Sequence, residues 1–121
     1  MTNDGTANGT VYDSKTGLTW QQMFPSTTYA WAYAKTYCAG LKLDGWTGWR
    51  LPTAKELQTI VDDSQTNPAI DSKAFPSTPA SFFWSASSLV GSSSNAWSVD
   101  FSYGSTYNYD EFSSYFVRCV R

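Results

Sequence analysis

Gly45-Trp46-Thr47-Gly48-Trp49-Arg50-Leu51-Pro52-Thr53 is the stretch whose reading decides the fold. Two tryptophans stand three apart in a segment broken by two glycines. Rings of that size bury a large apolar area only where the backbone turns tightly around them, and glycine permits such turns. Trp46 and Trp49 are therefore expected to form a structural hub with Arg50. The arginine, set between Trp49 and Leu51, is expected to be buried or half-buried, against a carboxylate or several carbonyls. Pro52 stops the extended segment, and Thr53 with Glu56 reads as a capping box that starts a helix. No nucleophile or base in the stretch points to chemistry.

Working outward, Gly9–Asp13 and Leu18–Gln22 read as a hairpin closed by Ser14-Lys15-Thr16-Gly17, with Trp20 toward the core. Phe24-Pro25-Ser26-Thr27-Thr28 breaks the strand and offers hydroxyls as helix caps. A helix follows over about 29–39, with Trp31, Ala34, Cys38 and Leu41 on its inner face and Gly40 just past its end. Tyr33 and Tyr37 lie on its flank. A second helix is predicted over 53–62, with Leu57, Ile60 and Val61 as its apolar stripe. In the long polar segment 63–81, Ile70 and Phe75 are the expected anchors into the core. Phe82–Ala86 and Asn95–Ser102 read as strands, the second alternating Trp97, Val99 and Phe101 with Ser98, Asp100 and Ser102. Tyr115–Val120 is expected to be the last strand and a central one. The result is one α+β domain, two helices packed on short twisted antiparallel sheets with long loops.

The chain has 121 residues, enough for one core. Aromatic residues make up 17% and charged residues 15%, with a formal net charge of −2. That balance argues against nucleic acid or an anionic membrane as an electrostatic partner. No apolar run is long enough to span a bilayer, so no direct membrane insertion is expected. Met1 leads straight into polar residues, without a signal-peptide pattern, and the chain is read as a domain of a longer protein. There is no histidine, which removes the commonest general base and metal ligand. The two cysteines, Cys38 and Cys119, are too far apart in sequence for a C-x-x-C redox motif, and two cysteines without histidine do not form a zinc site. They are either two buried thiols or one disulfide.

Trp49-Arg50-Leu51-Pro52-Thr53-Ala54-Lys55-Glu56-Leu57 resembles the W-R-L-P-T-x-x-E-L signature of the Lcl C-terminal domain family. Asn8-Gly9-Thr10-Val11 through Thr16-Gly17-Leu18-Thr19-Trp20 is similar to the family's opening. Phe83-Trp84-Ser85, Ala96-Trp97-Ser98-Val99-Asp100-Phe101 and Val117-Arg118-Cys119-Val120-Arg121 are similar to its closing strands. The family is named for a bacterial collagen-like adhesin and is related to formylglycine-generating-enzyme-type domains of C-type-lectin-like fold. The resemblance implies that fold, and it implies a Cys38–Cys119 disulfide tying the first helix to the last strand. Closing so long a loop stabilises by about 4.5 kcal/mol in the chain-entropy description. A disulfide in turn implies an oxidising compartment, and the expected location is secreted or on a bacterial cell surface.

Binding chemistry concentrates in 102–114, Ser-Tyr-Gly-Ser-Thr-Tyr-Asn-Tyr-Asp-Glu-Phe-Ser-Ser. Read as a loop between two strands, it has the Tyr/Ser/Asn/Asp/Gly composition of a paratope. Tyrosine there supplies rigid amphipathic contact area and Ser and Asn supply adaptable hydrogen bonds. The candidate ligand-binding residues are Tyr103, Ser105, Tyr107, Asn108, Tyr109, Asp110, Phe112 and Ser113, with Ser92 and Asn95 from a second polar loop, 87–95. The competing reading is a solvated loop whose tyrosines pack locally. Related sequences carry Asn-rich runs at these positions. The residues found here are those that arise when the adenines of Asn codons are replaced, as in variable proteins of diversity-generating retroelements.

The resemblance implies an adhesin- or receptor-type module for a protein or glycan ligand. The adhesin's glycosaminoglycan ligand does not carry over to an acidic chain without a basic cluster. A structural or oligomerising domain, assembling through a parent chain, is the alternative. A formylglycine-generating activity would need two cooperating cysteines in a substrate cleft, and no Ser-His-Asp set is possible. The expectation is no enzyme, no cofactor and no metal. Calcium is the weighed alternative, through Asp62, Asp63 and Asp71 or through Asp100, Asp110 and Glu111.

Overall fold

The computed structural model describes residues 2–3, 9–91 and 94–121. Its elements are β1 (Thr2–Asn3), β2 (Thr10–Asp13), β3 (Leu18–Gln21), α1 (Trp31–Ala39), α2 (Ala54–Gln58), β4 (Phe82–Ser88), β5 (Asn95–Asp100) and β6 (Ser105–Asp110). Two three-stranded antiparallel sheets result, ordered β1-β2-β3 and β4-β5-β6. The protein is thus a small α+β domain of two sheets and two helices.

The first hairpin closes where the sequence puts it, because Asp13 organises the turn. Its carboxylate accepts from the Lys15 backbone N–H at 3.0 Å and from the Thr16 hydroxyl at 3.0 Å. Its carbonyl accepts from Gly17 N–H at 2.8 Å, and Gly17 sits at φ 75°. Val11 is paired with Trp20, and both are fully buried.

The start of α1 departs from expectation. Its N-cap is Ala30, with no side-chain cap, so the hydroxyls of 26–28 do not serve. A helix start leaves its first N–H groups without intrahelical partners, and tertiary contacts fill that need here. The Trp31 N–H donates to the Glu111 carbonyl at 2.9 Å, while Tyr29 and Tyr115 exchange backbone bonds at 2.8 and 3.0 Å. Ala34 and Cys38 face inward as predicted. Gly40 ends the helix at φ −94°, in right-handed space, and the left-handed residues come later at Asp44, Gly45 and Gly48.

The capping box of α2 is present in full. Glu56 N–H donates to Thr53 Oγ1 at 3.1 Å, and Thr53 N–H donates to Glu56 Oε1 at 2.9 Å. The helix is shorter than the predicted 53–62. After Gln58 the chain tightens into i→i+3 bonds, Ile60 to Leu57 and Val61 to Gln58. Leu57 and Ile60 are buried, as are the anchors Ile70 and Phe75.

In β5 the expected alternation is only half kept. Val99 is buried, but so are Ala96 and Ser98, while Trp97 is half-buried. β5 has packed neighbours on both faces, Val99 in one cluster and Ala96 in the other, which erases a one-sided pattern. Val99 and Phe83 join the cluster around Leu57, Ile60 and Phe75; Trp84 and Ala96 join Ala34, Cys38, Trp49 and Val117.

Segment 115–121 is central, as predicted, but it is not one continuous strand. It changes partner along its length. Phe116 N–H donates to Phe82 O and Phe116 O accepts from Trp84 N–H, at 3.1 and 3.0 Å. Cys119 O accepts from Gln21 N–H at 2.9 Å, Val120 and Arg50 exchange bonds at 2.9 Å, and Arg121 and Thr19 exchange bonds at 2.9 and 2.7 Å. The segment therefore joins the two sheets and the tryptophan loop. Cys119 is bonded to Cys38 with the Cα atoms 5.5 Å apart.

Candidate functional site

The hub residues separate in space. Trp49 is buried, and its indole N–H donates to the Trp46 carbonyl at 3.1 Å. Trp46 itself is 53% exposed, with the Arg121 guanidinium 4.5 Å over its ring. Arg50 is exposed rather than buried. It did find the carboxylate that was expected, donating from both terminal nitrogens to Glu56 at 2.6 and 2.7 Å. The Arg50 hydrogen bonds hold the Glu56 carboxyl down at about 2.

The buried guanidinium belongs to Arg118, which sequence reading passed over. It is enclosed by aromatic rings, with Phe75 at 4.5 Å, Phe24 at 5.6 Å and Phe83 at 5.7 Å. Nη2 donates to Thr78 Oγ1 at 3.1 Å, whereas Nε and Nη1 meet no acceptor among the described residues. Burial pushes its pKa down to about 9. The available signal was its place in Val117–Val120, a run otherwise apolar.

The Tyr-rich stretch is not a loop. Its middle is the strand β6, paired with β5 through six consecutive residues. The strand continues because Gly104 turns it back at φ 85°, so close to Val61 that a Cβ at 104 would collide with Val61 Cγ1. Gln58 on α2 clamps the entry, donating to Gly104 O at 3.0 Å and Thr106 Oγ1 at 2.6 Å.

Strand alternation then divides the candidate residues between two faces. Register sets Ser105 across from Asp100, Tyr107 across from Ser98 and Tyr109 across from Ala96. On that face Tyr107 and Tyr109 meet Phe82 edge-on at 6.1 and 5.1 Å, and Tyr109 meets Tyr115 at 5.4 Å. Tyr115 packs on Trp84 at 4.9 Å, so the rings form one cluster from core to surface. Burial holds the Tyr115 phenol above its ordinary range, against a hydrogen bond with Ser113 that lowers it. Tyr107 is 45% exposed and Tyr109 half-buried.

The opposite face carries Asn108 and Asp110 with Asn95. Asn95 Nδ2 donates to Asn108 Oδ1 at 2.9 Å. Tyr103, 67% exposed, and Phe112, 86% exposed, stand in the turns before and after β6. The strand between them spans about 20 Å, so they do not belong to one patch. Ser113 N–H donates to the Asp110 carbonyl at 3.0 Å. Ser92 lies outside the described residues.

Four of the six acidic residues weighed for calcium serve local turns. Asp62 Oδ1 accepts from Ser64 N–H and Oγ at 2.9 and 2.6 Å, and Asp71 Oδ1 accepts from Lys73 N–H at 2.9 Å. Asp100 and Asp110 accept from Ser102 and Phe112 N–H at 2.9 and 2.8 Å. Among the described residues, no three acidic or cysteine side chains converge as a metal group.

Two surface hollows lie elsewhere. One of about 400 Å³ is walled by Lys35, Ala39, Trp49, Arg50, Leu51 and Ala86. The other, of about 280 Å³, is walled by Thr16, Leu18, Thr53, Lys55, Glu56 and Thr59. Neither contains a candidate ligand-binding residue named from the sequence.

These features define a small disulfide-bonded α+β domain whose last strand is rich in tyrosine. The sequence profile of the Lcl C-terminal domain matches residues 9–121, and the chain belongs to that family. No curated protein matches the chain. The disulfide is consistent with an oxidising, extracellular setting. Among the described residues no helix is long and apolar enough to cross a membrane.

Proposed function

We propose that the protein is a C-type-lectin-like binding module, secreted or displayed on a bacterial surface, that recognises a protein or glycan through the aromatic face of β6. The observation that carries this reading is the half-exposed ring cluster of Tyr107, Tyr109 and Phe82, backed by Tyr115 and Trp84. A ring fixed by neighbouring rings loses little freedom when a ligand covers it, and its hydroxyl stays free to orient the contact. Asn95, Asn108 and Asp110 form a second, polar contact surface on the other side of the strand. The chain is read as one selected variant of a diversified receptor, a point that a neighbouring template repeat and reverse transcriptase in its genome would support.

No catalytic role is assigned. The chain has no histidine, and its two cysteines are bonded to each other. A structural role is the second reading, favoured by the same ring contacts, because Tyr109 links Phe82 to Tyr115.

Replacing Tyr107 and Tyr109 by Ala separates the two. On a glycan array and a panel of purified surface proteins, the variant is expected to lose the wild-type signal at least tenfold. Its melting temperature should move by only a few degrees. Retained binding would sink the reading, and collapse of the fold would assign the rings to structure.

A further inference from the structure

We infer that the outer edge of β6 pairs with the same edge of a second copy of this chain, giving a two-fold dimer with Tyr107 on the axis.

The two sheets treat their edges differently. The outer side of β4 is closed by Phe116, bonded to Phe82 and Trp84, and by Pro52, whose carbonyl accepts from Ala86 N–H. The outer side of β3 is closed by 119–121. Beyond β6 there is nothing equivalent among the described residues. Three contacts fix which of its groups look outward. Glu111 N–H donates to Ser94 O, the Ser98 hydroxyl donates to Tyr107 O, and Asn95 O accepts from Leu89 N–H on the far side of β5. With the ladder alternating, Ser105, Tyr107 and Tyr109 direct their backbone groups at β5. Thr106 and Asn108 direct theirs away. Among the described residues, no group pairs with the backbone N–H or C=O of Thr106 or Asn108.

Such an edge is normally guarded by Lys, Pro, a bulge or a covering segment. Residues 105–110 contain neither Lys nor Pro, and their pairing with β5 is regular throughout. One antiparallel self-pairing satisfies all four outward groups of each copy. It sets Thr106 of one copy across from Asn108 of the other, so Tyr107 faces its own counterpart in a non-hydrogen-bonded pair. The single charge of the strand, Asp110, then falls across from Gly104, and the two Asp110 side chains stay at opposite ends. The same register brings the turn bearing the exposed Tyr103 of one copy beside the turn bearing the exposed Phe112 of the other. Two aromatic side chains left uncovered in the single chain are placed at both ends of one continuous interface.

Sedimentation velocity across a concentration series is the first test. The wild-type chain should pass to twice its single-chain mass as concentration rises. Asn108→Pro removes one outward N–H and the side-chain bond from Asn95 but leaves the backbone bonds to β5 in place, so it should stay at single-chain mass with its melting curve lowered by only a few degrees. The second test does not depend on that variant folding. Tyr107→Cys places thiols at a facing pair whose Cα separation, about 4.5 Å, suits a disulfide. Mild oxidation should yield a covalent dimer, whereas Tyr109→Cys, set across from Ser105, should not. A wild-type chain that remains at single-chain mass, or a Tyr107→Cys variant that crosslinks no better than Tyr109→Cys, would overturn the proposal. If Asn108→Pro abolished capture of an extended peptide by a monomeric wild type, the edge would belong to a ligand and the dimer would fall. None of these readouts requires the ligand of the aromatic face.

Discussion

Residues 105–110 and 115–121 lie in the same stretch of chain, five residues apart, and end in opposite circumstances. The first is a regular strand with one neighbour and an open side. The second has almost no regular structure, yet 117–120 are buried throughout. It exchanges backbone bonds with the first hairpin, the tryptophan loop, the start of α1 and β4 in turn. Regularity and centrality are therefore different properties. A chain that must join several elements cannot keep one ladder, and one that keeps a ladder with a single partner remains at the margin.

The disulfide gives the largest lever on this contrast. It closes a loop of sequence separation 81 and anchors 115–121 to α1. Replacing both Cys38 and Cys119 by Ala should lower the unfolding free energy by about 4.5 kcal/mol in the chain-entropy description. Urea unfolding of the oxidised wild type and the double variant measures it. A loss below about 1 kcal/mol would mean that the backbone stitches alone hold the segment in place.

Next in size is Arg118, a guanidinium inside a ring of phenylalanines, with two donors unmatched among the described residues. Replacing such a charge by an apolar side chain of similar volume removes its desolvation cost. Arg118→Met should be more stable than wild type by about 3 kcal/mol near neutral pH, the ring contacts and the Thr78 bond offsetting part of the gain. The pH dependence has a definite sign. The folded-state pKa is about 9 and the ordinary value 12.5, so between them the unfolded chain holds the extra proton. Wild-type stability relative to the variant must then rise with pH across that window. The gap should narrow between about pH 7 and about pH 11 in paired urea titrations. A gap of constant size would show that the guanidinium stays charged in the folded protein throughout.

This also marks where the sequence could be read and where it could not. Local signals were sufficient for the Asp13–Gly17 turn, the Thr53–Glu56 capping box and the anchors Ile70 and Phe75, because each rests on neighbours within a few residues or on plain hydropathy. The disulfide followed from family likeness. The arginines were misassigned because burial of a charged residue depends on what arrives from far along the chain. Arg50 has Glu56 six residues away and can stay in water, while Arg118 is enclosed by Phe24, Phe75 and Phe83. The candidate site was legible as composition but not as geometry. Nothing local distinguishes a polar Tyr/Ser loop from a polar edge strand, and only pairing with β5 puts Tyr107 and Asn108 on opposite faces.

The smallest of the expected effects falls on the marginal strand itself. Gly104 is where β6 meets the core, at φ 85° and in contact with Val61. Alanine there incurs left-handed backbone strain and a clash that Val61 must yield to, together about 2 kcal/mol. The change should be felt unequally. β6 has its Gln58 clamp and its β5 ladder, and losing the turn loosens both. In native-state hydrogen exchange of Gly104→Ala, the amides of Tyr107 and Tyr109, which point at β5, should lose protection well beyond the global change. The amide of Val120, bonded to the Arg50 carbonyl, should follow the global change only. Equal loss at all three would mean that the strand and the closing segment unfold as one unit, and that the open edge is no softer than the centre it borders.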